Sequence, residues 1–171
     1  PEGNDQIREF ISTMKHDWDA SILVETCFLE FERPNVSQGI DTCVAKGAKD
    51  VVVIPIMLLP AGHSKIHIPA AIDEAKEKYP HVNFVYGRPI GVHEEVLEIL
   101  KTRLQESGEN LETPAEDTAV IVLGRGGSDP DANSDLYKIT RLLWEKTNYK
   151  IVETSFMGVT APLIDEGVER C

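Results

Sequence analysis

"VETCFLEFERPNVSQGIDTC" occupies residues 24–43, and "VETSFMGVTAPLIDEGVERC" occupies 152–171. At a constant offset of 128 the two stretches share Val, Glu, Thr, Phe, Pro, Gly and Cys in register. Most other positions exchange like for like: Leu29 with Met157, Val36 with Ile164, Ile40 with Val168. Upstream, with one gap, "PEGNDQIREF" at the start of the chain lies over "PDANSDLYKI" from Pro130. Repetition of this kind means that one supersecondary unit is built twice. Reading one copy therefore reads both.

Within and after the first copy, two periodicities alternate. "DQIREFISTM" places Ile7, Phe10, Ile11 and Met14 on one helical face. "SILVETCF" (21–28) is short and β-branched, which predicts a strand. Val36, Ile40, Cys43 and Val44 repeat the helical spacing, with Pro34 as a first-turn proline and Gly47 as the stop. The apolar run 51–58 reads as a strand buried on both faces, as parallel sheets require. "PAAIDEAKEKYP" predicts a helix, "VNFVYG" a strand and "EEVLEILKTRLQ" another helix. The second copy supplies the strand "AVIVL", the Gly-rich turn "GRGGSDP" and the helix "DANSDLYKITRLLWEK", for which Asp131 or Asn133 is the expected cap. Strict alternation of strand and helix predicts an α/β fold with mostly parallel, doubly wound sheets.

The polar stretch "ESGENLETPAEDT" (106–118) reads as an interdomain linker. The expected division is an N-terminal lobe at 1–108, a linker at 109–118 and the start of a second lobe at 119–171. The second copy carries a strand and a Gly-rich turn before Pro130, whereas the first copy opens at Pro1. The first copy in turn runs on past Cys43, whereas the second stops at Cys171. The repeat thus predicts a strand and turn ahead of Pro1 and about three further elements beyond Cys171.

Composition narrows the function. A net charge of −12 argues against nucleic acid or an anionic membrane as the main partner. No run approaches the roughly 18 apolar residues of a membrane span. Cys27, Cys43 and Cys171 are odd in number and scattered, which fits reduced thiols better than a disulfide framework. The first ten residues show no basic segment followed by an apolar one, so no secretory signal is visible.

Ligands of doubly wound sheets sit outside the carboxyl ends of the strands. Three such ends carry chemistry here: Glu30 after "VETCFL", His63 after "VVVIPIMLLPAG", and the "GRGGSD" turn. An imidazole and a carboxylate meeting there would bind a transition metal or move protons. The plain alternative is a histidine satisfied by backbone and a solvated loop acid. His63 and His67 have the spacing of a helical zinc pair, but no Glu follows the first, and Pro69 disfavours helix at Ile68. His67 reads as a helix-entry residue. The turn lacks the third glycine of a dinucleotide fingerprint, since position 129 is Asp129, so no nucleotide is expected. Arg33, Lys65, Arg88 and Arg125 are the candidate clamps for carboxylates, each equally readable as a plain surface cation.

"CFLEFERP", "VVVIPIMLLPAGHSKIHIP", "YPHVNFVYGRPIG" and "VLGRGGSDPDANSDLYKITRLLWE", in this order, resemble the long, bilobal sirohydrochlorin chelatases, most of all those of the CbiX type. The resemblance implies two flavodoxin-like lobes facing each other across a ligand cleft. It implies ATP-independent insertion of a divalent metal into sirohydrochlorin in the cytoplasm: Co²⁺ on the cobalamin branch, with Fe²⁺ on the sirohaem branch as the alternative. No cofactor beyond that substrate metal is implied. The family's metal-handling His maps onto His63, its acidic residue onto Glu30 and a substrate-contacting position onto Arg33. The backbone of Leu58, Leu59, Pro60, Ala61 and Gly62 would line the macrocycle. The family's other active-site His belongs to a Gly-His-Gly-Ser turn that would precede Pro1, and the second copy carries Arg125 at that place. A rival from another class is a non-enzymatic carrier of tetrapyrrole or metal.

Overall fold

The structure is a computed structural model describing residues 2–171, with the backbone alone for His63. In chain order the elements are α1 (Glu2–Lys15), α2 (Val36–Ala45), β1 (Asp50–Val53), a π-helical turn (His63–His67) running into α3 (Ile68–Lys78), β2 (Asn83–Tyr86), α4 (Glu94–Glu106), β3 (Ala119–Gly124), α5 (Pro130–Glu145), β4 (Ile151–Phe156) and α6 (Ile164–Arg170). Two compact units result. One takes the chain up to Pro55 together with His63–Arg88, and the other takes Ile56–Gly62 together with Pro89–Cys171.

In the first unit β1 and β2 pair in parallel, Asp50 opposite Asn83 through Val53 opposite Tyr86. Helices α2 and α3 close over them around Ile40, Val51, Ile68, Ile72, Ala75 and Val82. Asn35 caps α2, its side chain accepting from the Gln38 amide while the Gln38 side chain accepts from the Asn35 amide. Pro34 therefore lies outside the helix rather than in its first turn. Gly47, at φ +92°, ends it as expected.

In the second unit β3 and β4 pair in parallel from Ala119–Ile151 to Gly124–Phe156. Val96 and Leu97 of α4 join Val122, Leu136, Ile139, Leu143 and Phe156 in one core. Leu97, Ile139 and Leu143 are almost fully buried, each removing about 1.5–3 kcal/mol of apolar exposure.

The sheets are parallel, as the alternation predicts, but four details differ. First, 21–28 forms no strand: Phe28 makes only an isolated bridge to Asn35. Its repeat counterpart is β4, which is held by the ladder to β3. Among the described residues, nothing plays the part of β3 beside 24–28, and a strand without a ladder is not a strand.

Second, β1 stops at Val53, because Pro55 has no N–H to continue the ladder. The run is not buried on both faces: Val51 is 7% exposed and Val52 58%. Third, the units do not divide at the polar stretch. Helix α4 packs on α5, and the stretch is strapped to the second unit, with the Asn148 side chain donating to the Glu112 carbonyl (2.7 Å) and Leu111 buried. The chain passes between the two compact units near Pro89. Fourth, the cap of α5 is Asp129, which accepts from the Asp131 amide at 2.9 Å, with Pro130 pre-set at the first turn.

The repeat survives in three dimensions. Phe28 bridges Asn35 just as Phe156 bridges Leu163. Phe31 (φ 60°) and Val159 (φ 70°) share the left-handed backbone at the tips of the two loops. Gly39 and Gly167 each sit where an added Cβ would strike the repeat-equivalent residue, Cys27 or Ser155.

Candidate active site

The segment carrying Glu30 and Arg33 is a tight loop closed at its base. Phe28 donates its N–H to the Pro34 carbonyl at 2.8 Å, and Leu29 packs on the first unit's core. Glu32 points back toward α1. Its carboxylate accepts from Asn4 Nδ2 (3.0 Å) and from the Arg33 amide (3.0 Å), and pairs with Arg8 at 3.4 Å. The Arg33 amide, then Asn4 and Arg8, hold the Glu32 carboxyl below its ordinary range. With Glu32 turned to α1, Glu30 and Arg33 stay exposed. Phe31 is fully solvent-exposed between them.

The second contribution comes from the carboxyl ends of β1 and β2, which the parallel register brings to one edge. Gly87 donates to the Val53 carbonyl at 2.8 Å, extending the pairing one step. Tyr86 then donates its hydroxyl to the carbonyl of buried Ser64 at 2.8 Å. That bond ties the end of β2 to the helical turn that opens at His63. The turn is π-helical because Pro69 has no N–H and its ring crowds the carbonyl four residues back, which a wider turn relieves. Helix thus runs through Ile68, against the expectation from Pro69, and His67 stands at the entry to α3 as expected. The side chain of His63 lies outside the described residues, and so does its predicted meeting with Glu30.

Leu58–Gly62 leads directly into that turn but packs with the second unit. Gly91 donates to the Leu58 carbonyl at 2.6 Å, and Leu59 rests on the core formed by Val96 and Leu97. Leu58 and Gly62 are exposed, and a Cβ on Gly62 would meet no atom within 4 Å. The space beside Gly62 is open.

In the second unit the Gly-rich turn stands against the loop that follows β4. Met157 donates to the Gly124 carbonyl at 2.8 Å, and a Cβ on Gly126 (φ +82°) would lie 2.0 Å from the Gly158 oxygen. The repeat equates Gly158 with Glu30 and Ala161 with Arg33. One loop carries charge and the other, of the same backbone design, is neutral. Arg125, Arg88 and Lys65 are all exposed. Among the described residues, no group of three or more His, Cys, Asp and Glu is disposed to hold a metal. Burial raises the thiol pKa of Cys27 and Cys43, keeping them in the form that does not ligate.

Two contributors escape a reading of the sequence alone, Arg8 and Tyr86. A charged residue on an amphipathic helix looks like a solvated one, and a tyrosine closing a strand looks like core. The repeat held one signal for Arg8, since it aligns with an aromatic residue, Tyr137.

Two units of paired parallel strands flanked by helices define a chelatase-like α/β protein. The fold matches SirB from Bacillus subtilis with Fe³⁺ at a TM-score of 0.88 and 33% identity, over 99% of this chain and 65% of that one. It also matches SirB from Bacillus subtilis subspecies spizizenii in complex with cobalt, at 0.78 and 27%, over 99% and 74%.

The sequence pattern of the CbiX family matches residues 1–107 and 119–171, and the chain belongs to that family. It is 98% identical over all 171 residues to a sirohydrochlorin cobaltochelatase of Priestia megaterium, covering 55% of that protein. It is 38% identical over 167 residues to a sirohydrochlorin ferrochelatase of the same species, covering 61% of it. The chain thus spans little more than half the length of the curated relatives it matches.

Proposed function

We propose that the full-length protein carrying this chain inserts Co²⁺ into sirohydrochlorin without ATP, and that His63 and Glu30 carry the chemistry. The observation behind the reaction is the 98% identity to a sirohydrochlorin cobaltochelatase across every residue. Insertion releases two pyrrole N–H protons as the metal takes their place. A neutral imidazole at His63 first ligates the incoming cation and, once the metal has left it, accepts one of the two protons; the other passes to water, while the Glu30 carboxylate offsets the charge being handed over. Arg33 meets a peripheral carboxylate of the macrocycle. The backbone from Leu58 to Gly62 lines its flat face, which the open space at Gly62 supports. No nucleotide enters this reading, and the work belongs to the cytoplasm. No described helix is long and apolar enough to cross a membrane.

The assignment of chemistry to the first copy rests on the two loops, since only one of them carries Glu30 and Arg33. Iron is the second reading, favoured by the SirB structure with Fe³⁺ and the ferrochelatase relative. Imidazole and carboxylate accept both metals, so the donor set alone does not choose. The test is anaerobic insertion by the full-length protein, followed by sirohydrochlorin absorbance with Co²⁺ and with Fe²⁺. Faster turnover with Co²⁺ supports the cobalt reading, and faster turnover with Fe²⁺ replaces it with the ferrochelatase one. Binding of the pigment with no gain over the spontaneous rate for either metal makes the protein a carrier.

A further inference from the structure

We propose that Arg8 is a positioning residue for metal insertion, holding Glu30 in place by clamping its loop to α1; the proposal rests on the reading of Glu30 given above. One guanidinium makes three of the attachments. It donates to the Arg33 carbonyl at 3.2 Å, pairs with Glu32 at 3.4 Å and lies 4.7 Å over the Phe28 ring. Asp5, one turn earlier on α1, fixes its other arm at 3.1 Å. Asn4 reaches the same Glu32 carboxylate at 3.0 Å. The clamp therefore grips the loop at Phe28, Glu32 and Arg33. Glu30 sits inside that span, on a backbone whose next residue has left-handed dihedrals. A planar fork suits this task because it serves two acceptors and a ring face at once.

The second copy is an internal comparison. Tyr137 takes the place of Arg8, its ring centroid 6.1 Å from that of Phe156, the counterpart of Phe28. Asn133, the counterpart of Asn4, donates to the Gly127 carbonyl at 2.8 Å instead of to the loop. The loop there bears Gly158, Thr160 and Ala161 where the first copy has Glu30, Glu32 and Arg33. Phenol-on-ring packing suffices to hold the same backbone where no acid has to be aimed. The charged clamp occurs in the copy that carries the acid. Half-exposed ion pairs add little to stability, so the effect belongs to geometry rather than to folding.

The test uses the full-length protein, steady-state Co²⁺ insertion into sirohydrochlorin and thermal melting. Arg8→Ala lowers kcat about ten-fold with little change in KM or melting temperature, because displacement of a reacting group is costly in rate. Arg8→Lys, which keeps the charge and loses the fork, restores part of that loss. In a Glu30→Ala background the further loss from Arg8→Ala shrinks below about two-fold, as expected when one residue acts through the other. An undiminished loss in that background, a parallel fall in melting temperature, or no loss in the wild-type background overturns the clamp. If Glu30→Ala itself matches wild type, the reading of Glu30 fails and the clamp fails with it. If Glu30→Ala is slow and Arg8→Ala is not, only the clamp fails.

Discussion

Helix α6 lies so close to β4 that position 167 has no room for a side chain. A Cβ on Gly167 would stand 1.7 Å from Ser155 Oγ and 3.0 Å from Ser155 Cβ. In Gly167→Ala the hydroxyl must leave its place, and a tight Cβ–Cβ contact remains. Overpacking of this kind costs about 1–3 kcal/mol, offset by about 1 kcal/mol from the better helix propensity of alanine. The net expectation is a loss of about 0–2 kcal/mol. Ser155 supplies the control, because its buried Oγ has no hydrogen-bond partner among the described residues. Ser155→Ala removes an unsatisfied hydroxyl and should be neutral or stabilising by about 1 kcal/mol. In the double variant the 1.7 Å clash is gone, so the two changes couple by about 1–2 kcal/mol in the direction of rescue. Thermal and urea denaturation of the full-length protein and its three variants close the cycle. Strict additivity would refute the reasoning, since it would mean that the Ser155 hydroxyl is not what excludes a side chain at 167.

Two further outcomes follow from named bonds. Tyr86→Phe removes the donor to the Ser64 carbonyl and costs about 1 kcal/mol in stability; because that bond secures the turn opening at His63, the insertion rate should fall by more than the stability loss explains, and a rate within about two-fold of wild type would contradict this. Asp41 accepts from Lys78 (2.9 Å) and from the Tyr79 hydroxyl (2.8 Å), which in that order hold its carboxyl below 3.8. A carboxylate with a lowered native pKa stabilises the fold above its unfolded pKa, and the contribution disappears as pH falls through the native value. Wild type should therefore melt higher than Asp41→Asn near neutral pH, with the gap closing in acid below the ordinary carboxylate range. A gap that stays constant down to about pH 3 would rule out the ionised form as its source.

Most of what places the site was legible in the residues, because it rests on local rules. The repeat between 24–43 and 152–171 is visible by eye, and the loops it aligns share their bridge and left-handed tip. Helical spacing located α2, α4 and α5, and the pattern at 83–86 gave β2. What stayed hidden depends on partners far along the chain. The segment 21–28 has the composition of a strand, but ladder pairing is not a local property. Helix α4 shows an apolar face in sequence without showing that Val96 and Leu97 cover Leu136 and Ile139 instead of the sheet before it. Asp129 outcompetes Asp131 as the cap of α5 because its side chain reaches the amide two residues on. The grip of Arg8 on the Arg33 carbonyl spans 25 residues of sequence, and no periodicity announces it.

Whether His63 and Glu30 perform the insertion together is decided by single-turnover kinetics. Full-length wild type, His63→Ala and Glu30→Ala would each be saturated anaerobically with sirohydrochlorin, confirmed by its bound spectrum, and then mixed with Co²⁺. Both variants should still bind the pigment, and insertion in each should fall by at least about a hundred-fold, toward the spontaneous rate. Variants that bind the pigment and insert cobalt as fast as wild type would contradict it and move the chemistry to other residues.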